Sequence, residues 1–380
     1  MPNIKRGMMG AAGAGGALKQ SGTLWAWGDA NMGQLGNGSV TDVSSPVQIG
    51  SRTDWAHIGD GCDKKSNIGV TTDGKRWGWG ENKFGALGLG DTTNRSSPTQ
   101  IGALTTWGPG TSVTSADYNS TLHITTAGTL FGAGLQDWRS LLGTGDSEAT
   151  YSSPVQVGAL TDWAQVNSGR THSAAVKTDG TLWVWGQRGP ETGNSSVDKS
   201  SPVQVGSLTD WAHVTCGADF CTALKTDNTV WSWGTAAGGL LGNGTTSPNI
   251  SSPAQVGSLT DWKQIDADYS HTMAIKTDGT LWGWGGVYTE PAQAYSSPVQ
   301  LGALTDWLQI SAGKFHTMAI KTDYTLWAVG GTGWYGCFGN EVPHHWTNAA
   351  LSSPVQIGSE TDWIQVKCGA GHTHAIRSAS

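Results

Sequence analysis

The sequence predicts an all-β protein, a seven-bladed β-propeller of four-stranded antiparallel blades closed by strands from both termini. The first reason is a Ser-Ser-Pro motif followed two residues later by Gln, which occurs seven times at intervals of 45 to 56 residues. Its proline stands at positions 46, 98, 154, 202, 253, 298 and 354. A Trp follows each copy, and most units end in a run of the type LWxWG. Repeats of about 50 residues that each hold several short strands are typical of propeller blades.

The composition excludes several other classes of protein. The 380 residues include 56 Gly and 21 Trp and are 13% charged, whereas helical bundles and coiled coils need long Gly-poor stretches of helix formers. With 37% hydrophobic residues the chain can bury a large core. The net charge is -7 and the densest group of cations is Lys64-Lys65, so we expect no binding to nucleic acid. The Gly- and Ala-rich start is too short and too weakly apolar for membrane insertion.

Each unit contains four segments that have the pattern of short strands with alternating polarity. Three of the turns between them contain Asp-Gly, at 73–74, 179–180 and 278–279, which predicts two-residue hairpins of type I′. The pairs at 227–228 (Asp-Asn) and 323–324 (Asp-Tyr) are poorer versions of the same signal. Seven such units are expected to close into a ring without free sheet edges.

Both ends of the chain are expected to contribute to one blade. The first clear strand is residues 23–28, and the chain ends with 352–377, which contains the three strand segments that should precede such a strand. We therefore expect 352–377 to pair with 23–28. This assigns residues 17–380 to the propeller and residues 1–16 to a separate N-terminal anchoring segment.

Residues that recur at one position in many units are expected to serve the blade rather than a unique reaction. The two Trp of an LWxWG run point to the same face of their strand and are predicted to pack between neighbouring blades. His172, His271, His316 and His372 occupy one column and are predicted to be hydrogen-bonded structural residues. The Asp of each Asp-Trp pair, such as Asp162, is predicted to bond its own turn. No residue is assigned as catalytic.

We predict neither a metal site nor a cofactor. The five cysteines, at 62, 216, 221, 337 and 368, include no CxxC motif and are expected to pack as small buried residues. The Gly-rich segments lack the Lys-Ser/Thr pair and the following helix of a phosphate-binding loop. His344 and His345 form an unrepeated pair without the spacing of metal ligands, and we interpret them as part of an exposed loop.

Tandem units that contain HTxAIK and TDG, end in LWxWG and continue into GQLGNG (33–38) or GLLGNG (239–244) resemble the regulator of chromosome condensation repeat family. The resemblance covers residues 17–377. It implies a seven-bladed propeller that acts as a protein-binding platform. One member of the family is a nucleotide exchange factor for a small GTPase, and a bacterial relative inhibits β-lactamases. Because different functions share this fold, the function has to be argued from the loops and the termini.

The loops that run from each LWxWG strand to the next Ser-Ser-Pro differ between units and should emerge on one side of the ring. They are 29–43, 81–95, 135–151, 187–199, 235–250, 286–295 and 331–351. Three Trp fall outside the repeated columns, and all three lie in the two longest loops. We predict that Trp138, Trp334, Tyr335 and Trp346 form exposed aromatic surface for a partner protein or glycan. The alternative is local packing within the loops.

Residues 3–12 form a second feature that the repeats do not contain. They resemble the N-terminal segments of structural proteins of marine tailed phages. The resemblance implies a peptide that docks the protein on a particle, since Met adapts to an apolar groove and cations pair with acidic groups. The predicted anchoring residues are Ile4, Lys5, Arg6, Met8 and Met9. The alternative is a flexible terminus.

These features predict a non-enzymatic structural or adhesion protein located in a virion. Its N-terminal segment would contact phage structural proteins, and its loops would contact a host cell-surface glycan or protein, or a neighbouring subunit. One alternative is a cytoplasmic regulator that resembles an exchange factor, although a net charge of -7 offers little to chromatin or to another acidic partner. A secreted inhibitor and an enzyme acting on glycans are further alternatives.

Overall fold

The computed structural model describes most of the chain and shows an all-β protein. The described residues are 21–59, 65–107, 120–137, 141–146, 148–187, 189–193, 197–286, 294–314, 316–330, 334–341 and 351–379. Within them the helical pieces are three single 3-10 turns, at Pro190–Thr192, Ala237–Gly239 and Trp334–Gly336. No helix in these ranges is long and apolar enough to cross a membrane. The predicted fold class is confirmed.

The strands are numbered in chain order. Strands β1 to β9 are Gly22–Gly28, Val43–Gln48, Trp55–Ile58, Ser66–Thr71, Arg76–Gly80, Arg95–Gln100, Ser120–Ile124, Leu130–Gln136 and Ala149–Gln156. Strands β10 to β18 are Trp163–Ser168, His172–Lys177, Leu182–Gly186, Lys199–Gln204, Trp211–Cys216, Phe220–Lys225, Val230–Gly234, Ile250–Gln255 and Trp262–Asp268. Strands β19 to β27 are His271–Lys276, Leu281–Gly285, Tyr295–Gln300, Trp307–Ala312, Thr317–Lys321, Leu326–Gly330, Leu351–Gln356, Trp363–Cys368 and His372–Ser378.

The described strands group into seven antiparallel blades. Blade 1 has the order β26-β27-β1-β2 and blade 2 the order β3-β4-β5-β6, with the residue pair Gly22 and Trp55 linking the two. In blade 3, β7-β8-β9 are joined by a bridge between Trp107 and Thr125 at the position of the first strand. Blades 4 to 7 are β10 to β13, β14 to β17, β18 to β21 and β22 to β25. In each complete blade the Asp-Trp strand comes first and the Ser-Ser-Pro strand last.

Ring closure by both ends is confirmed, but one strand lies in a different blade from the one expected. β26 and β27 pair through β27 with β1, and β2 completes blade 1. The preceding strand, β25, pairs with β24 in blade 7. The expectation that all of 352–377 joins 23–28 is therefore wrong for this strand. The reason is topological, because a Ser-Ser-Pro strand leaves the loop after an LWxWG strand and returns antiparallel beside that same strand.

The Asp-Gly turns are three-residue loops rather than the predicted two-residue turns. In blade 4 the Gly180 N–H donates to the Lys177 carbonyl, and the Lys177 N–H donates to the Thr181 carbonyl, both at 3.0 Å. The last of the three loop residues is left-handed, with φ of 79° at Gly180, 63° at Asn228 and 62° at Tyr324. A type I turn that ends on one left-handed residue has this pattern. Because a single residue needs positive φ, Asn and Tyr can replace Gly here.

The second Trp of each LWxWG run forms the core between blades, as predicted, whereas the first makes its aromatic contact within its own blade. The second Trp of an LWxWG run is fully buried and packs against the preceding blade; Trp27 lies in one cluster with Ile320 and Leu326 of blade 7. The first Trp is half-buried and makes an edge-to-face contact within its own blade, as Trp183 does with Trp163 at 5.7 Å between ring centroids. Each aromatic pair contributes about 0.5–1.5 kcal/mol beyond the area it buries.

A Lys or Arg side chain lies over each of these aromatic pairs. The same cation also forms an ion pair with the Asp that precedes the first strand. Lys177 Nζ lies 4.1 Å from the Trp183 ring centroid and 3.3 Å from Asp162 Oδ1. The same arrangement recurs at Lys225, Lys276, Lys321 and Arg377. The prediction that the Asp of the Asp-Trp pair bonds its own turn is therefore wrong for these blades, since its side chain pairs with a cation of the adjacent strand. In blade 2, Asp54 instead accepts bonds from Arg52 of its own turn.

Side chains of the innermost strands bond the backbone of the next blade. Gln165 Nε2 donates to the Val214 carbonyl at 2.7 Å, and Gln165 Oε1 accepts the Val214 N–H at 2.8 Å. Gln264 repeats this pair of bonds between blades 6 and 7. Gln365 Oε1 accepts the Ile58 N–H at 2.9 Å across the ring closure. These bonds satisfy polar groups at the inner edge of each blade, where no further strand pairs.

The column histidines have the structural role expected of them. The Nε2 atom of His271 lies 3.2 Å from Thr317 Oγ1, and that of His316 lies 2.7 Å from Thr373 Oγ1, so each ring bonds the following blade. Burial lowers the pKa of His271 to about 4. It lowers the pKa of His316 to about 3, with a smaller contribution from the charge of His271. Both imidazoles are therefore neutral in the folded protein near pH 7.

Removal of residues 359–380 should prevent blade 1 from forming. The deletion separates β1 from β27 and exposes Trp25 and Trp27, whose rings contact Trp363. We expect the truncated chain to aggregate, because an open sheet edge and an apolar surface are exposed together. Size-exclusion chromatography and thermal unfolding measure the effect, with a chain that lacks residue 380 alone as the control. A monomeric truncated chain with an unchanged Tm would contradict ring closure.

The free energy of unfolding should fall as the pH drops from 6.5 to 4. The unfolded chain protonates His271 near its ordinary pKa of 6.5, whereas the folded protein does so near pH 4, so acid favours the unfolded state in this window. The contribution of His271 is about 3 kcal/mol at the acid end. Urea unfolding at pH 7 and pH 4 measures it. The pH dependence should decrease in His271→Gln and change less in His213→Gln, a half-buried control; an unchanged dependence in His271→Gln would refute the assignment.

Candidate functional site

One face of the ring carries the loops that differ between blades. Each LWxWG strand ends at this face, and the chain returns from it along the Ser-Ser-Pro strand. The links between the first and second strands emerge beside these loops: the Asp29 N–H donates to the Gly371 carbonyl at 2.8 Å, and the Gln187 N–H donates to the Thr171 carbonyl at 2.8 Å. We call this surface, formed by the loops that follow the LWxWG strands and by these links, the loop face.

The Gly-rich part of a loop is held on the next blade. The Gly38 N–H donates to the Ser96 carbonyl at 2.7 Å. The Gly244 N–H makes the equivalent bond between the loop of blade 5 and blade 6, at 2.6 Å. The indole Nε1 of Trp79 donates to the Gln34 carbonyl at 3.0 Å. The Gly-rich segments thus join neighbouring blades, and these donors are committed to protein acceptors rather than to a phosphate.

Glycine is required where these segments cross a Trp of the next blade. Gly242 and Gly339 are left-handed, with φ of 66° and 74°. A Cβ on Gly242 would lie 2.7 Å from Cδ1 of Trp284, and a Cβ on Gly339 would lie 2.7 Å from Nε1 of Trp27. The recurrence of Gly in this part of the loops therefore follows from close approach between blades.

The second half of a loop is closed at its base by one side chain and exposes its tip. Asp42 Oδ1 accepts the Ala30 N–H at 2.9 Å, and Asn94 and Asn249 make the equivalent bond in their own loops, at 2.9 and 3.0 Å. Val40, in the part enclosed by such a bond, is 61% exposed. Each of these loops presents a variable tip from a fixed base, which is the arrangement expected of a recognition surface.

The predicted aromatic anchors are only partly described. Trp138 and Trp346 lie outside the described residues, and for Trp334 the structure gives the backbone, which lies in a 3-10 turn. Tyr335 is half-buried, and its ring lies against Gly371 of blade 1, where a Cβ would be 3.0 Å from Tyr335 Cδ2. Tyr335 therefore also packs against the scaffold. The binding role of the four residues stays a prediction.

The other residues singled out from the sequence lie outside the part of the chain that the structure describes. They are Ile4, Lys5, Arg6, Met8, Met9, Cys62, His344 and His345. The division into residues 1–16 and 17–380 likewise stays a prediction.

Sequence reasoning missed the charged and aromatic groups at the inner rim of the loop face. Lys65 Nζ lies 2.6 Å from Asn31 Oδ1 and 3.4 Å from Asp29 Oδ2, between blades 1 and 2. Lys314 Nζ lies 4.5 Å from the ring centroid of Tyr269, between blades 6 and 7. Lys65, Tyr269 and Lys314 belong to short links, whereas Asp29 and Asn31 begin the loop 29–43. The sequence signal that could have identified these residues is that their positions differ from one unit to the next.

Comparison with known proteins identifies the repeats. The regulator of chromosome condensation (RCC1) repeat matches residues 21–63, 73–120 and 227–275. A second form of the same repeat matches residues 163–188. The matched ranges include strands of blades 1 to 6.

Curated relatives match part of the chain. The ultraviolet-B receptor UVR8 of Arabidopsis thaliana is 31% identical over 176 residues, which is 45% of this chain and 38% of UVR8. The protein RCC2 homolog of Xenopus laevis is 37% identical over 81 residues, which is 21% of this chain and 16% of that protein. The matched segments thus span less than half the length of these relatives.

A solved structure shares the whole fold. Prp20p from Saccharomyces cerevisiae has a TM-score of 0.81 to this protein over 95% of this chain and 93% of Prp20p, at 19% sequence identity. At that identity the likeness concerns the fold alone, and it agrees with the seven blades of the described residues. The chain therefore contains regulator of chromosome condensation (RCC1) repeats in the matched ranges, and its described residues form a β-propeller that shares the fold of Prp20p.

Proposed function

We propose that the protein is a non-enzymatic binding platform that recognises another protein through its loop face. The observation that carries this proposal is the contrast between the blades and the loops. The blades repeat the same buried Trp and Lys residues and the aspartates that pair with those lysines. The Gly-rich parts of the loops 29–43, 81–95, 135–151 and 235–250 are bonded to the next blade. The tips differ in length and sequence while they are presented from a rigid ring. Recognition concentrates in such loops because the scaffold tolerates their variation.

The recurring titratable groups support binding rather than catalysis. His271 and His316 bond the hydroxyl groups of neighbouring blades and are buried and neutral. Lys177 is held between an aromatic pair and Asp162. A general acid or base has to reach substrate, whereas these groups are enclosed by the scaffold.

The relatives support a protein-binding role. UVR8 is a receptor, and Prp20p has binding properties towards Gsp1p and histones. The net charge of -7 favours a partner that is not itself strongly acidic. The matched segments cover less than half of the curated relatives. We therefore propose that this chain binds a protein, but we do not propose that it binds the same partner as any of these relatives.

The more specific form of the proposal places the protein in a phage virion. Its support is the resemblance of residues 3–12 to N-terminal segments of phage structural proteins. In this form residues 1–16 dock on a particle, and the loop face contacts a host cell-surface protein or glycan, or a neighbouring subunit. A short peptide with adaptable Met side chains and two cations suits a groove with acidic groups at its edge.

A second candidate is a cytoplasmic regulator or a secreted inhibitor that binds its target through the same face. The similarity to a plant receptor and to yeast Prp20p favours this candidate. The two candidates share the loop face and differ in the role of residues 1–16. Mass spectrometry of purified particles distinguishes them, because only the virion protein is a stoichiometric component of the particle.

Replacing Trp334 and Trp346 together by Ala should weaken partner binding without unfolding the ring. An aromatic anchor buried at an interface contributes about 2 kcal/mol or more, which is a change of roughly 30-fold in Kd for each anchor. Attachment of labelled protein to host cells measures the loss, and differential scanning fluorimetry should show a Tm within a few degrees of wild type. The matched control is Leu208→Ser with Leu259→Ser, two side chains that are 46% and 41% exposed on the opposite face. If the Trp variant unfolds instead, the two residues belong to the core of their loop.

Deleting residues 1–16 should abolish incorporation into particles and leave the thermal stability of the ring nearly unchanged. The reason is that the deletion removes none of the described strands, the first of which is Gly22–Gly28. Mass spectrometry of particles assembled with the full-length or the truncated chain measures incorporation. A chain with residues 3–12 scrambled separates the effect of sequence from that of length. Equal copy numbers of full-length and truncated chains in particles would overturn the virion proposal and leave the loop-face proposal untouched.

A further inference from the structure

A cluster of two thiols and an imidazole lies at the junction between blades 4 and 5. His172 begins β11, Cys216 ends β14, and Cys221 lies opposite Cys216 on β15. His172 Nε2 lies 3.0 Å from Cys221 Sγ, and the two sulfur atoms are 2.7 Å apart. All three side chains are completely buried. Their three ligand atoms lie within 4.8 Å of one another.

The fold does not require this combination, because other junctions are built without it. At the junction of blades 6 and 7, His271 bonds Thr317, and Ala312 lies opposite Thr317. At the junction of blades 7 and 1, His316 bonds Thr373, and Cys368 lies opposite Thr373. At these two junctions an imidazole and a hydroxyl group are sufficient. The second sulfur at the junction of blades 4 and 5 is additional.

The two sulfur atoms lie close enough to share one ligand. Their separation of 2.7 Å is well inside the ~3.5–4 Å at which non-bonded heavy atoms rest. The structure has both residues as thiols. The short contact is relieved when the sulfur atoms bind a common partner, and the facing His172 Nε2 supplies a third donor to that partner.

We propose that His172, Cys216 and Cys221 form a binding site for a thiophilic cation, zinc(II). Thiolate sulfur and imidazole nitrogen are the donors that zinc prefers, at about 2.3 Å and 2.0–2.1 Å. Zinc(II) displaces one proton from each thiol, and the two resulting thiolates neutralise its charge, as a buried site requires. The sulfur atoms have to separate by roughly 1 Å to reach these bond lengths, which small side-chain rotations on the paired strands supply. Three protein donors leave a fourth zinc position open.

The experiment uses the full-length protein, reduced and refolded with one equivalent of cobalt(II) as a spectroscopic probe of the zinc site. Wild type should show thiolate-to-cobalt charge transfer at wavelengths beyond the Trp absorption, and zinc should displace the cobalt with a stoichiometry of one per chain. Cys221→Thr, which installs the residue found at Thr317 and Thr373, should abolish the band while the protein stays folded by circular dichroism. Cys368→Ala, the matched control at the junction of blades 7 and 1, should leave it unchanged.

The reverse variant tests the geometry without removing any ligand. Thr373→Cys places a second sulfur atom between His316 and Cys368, and it should raise the zinc stoichiometry from one to two per chain. The proposal is overturned if reduced wild type shows no charge-transfer band, or if Cys221→Thr retains it. It is equally overturned if peptide mapping finds a Cys216 to Cys221 disulfide and the reduced protein takes up no metal. Copper(I) binding with no uptake of zinc or cobalt would overturn the choice of metal.

Discussion

The ring depends on how the inner edge of each blade is joined to the next. Apart from the pair Gly22 and Trp55 between blades 1 and 2, the inner strands of the described blades do not join the next blade by strand pairing. Gln165 instead donates to and accepts from the backbone of Val214 in the following blade, and Gln264 does the same two blades on. The register of one blade is therefore fixed by the side chains of its neighbour. The buried Trp clusters, the histidine bonds and the bonds of the loops to the next blade all depend on this alignment between neighbouring blades.

The fold could be predicted because the apolar residues that recur in every unit are the residues that pack in the core. A Trp that returns in every unit has to serve the same packing position, and the structure places the column Trp between blades. Repetition gives the period of a unit but not its phase, so the Ser-Ser-Pro strand β25 was assigned to the wrong blade. The hairpins show a similar limit. An Asp-Gly pair suits two kinds of turn, and the left-handed φ of Tyr324 identifies the kind that needs one such residue.

The candidate site was harder to predict because loop residues have no repeated partners to identify their role. Tyr335 was assigned to the surface since it falls outside the Trp columns, yet it lies within a segment that corresponds to the Gly-rich part of the other loops. That segment approaches Trp27 at Gly339, and Tyr335 consequently packs against Gly371. The pair Lys65 and Asp29 was missed for the opposite reason, since its members come from different units and only the closed ring brings them together.

Residues that differ from those at the equivalent position in other blades indicate positions whose role goes beyond the common scaffold. Arg76 occupies a position held by buried apolar residues such as Leu182 in other blades, and His123 occupies one held by Ala175. The Arg76 guanidinium contacts His123 and lies 5.1 Å from the Trp107 ring centroid, so the two departures accommodate each other. Cys216 and Cys221 differ from that pair, because Ala and Thr at the equivalent positions already complete the junction of blades 6 and 7. Both cysteines also pack in the buried cluster between blades 4 and 5, so the feature that packing alone does not call for is the second sulfur beside His172, and this is the feature for which we propose a ligand.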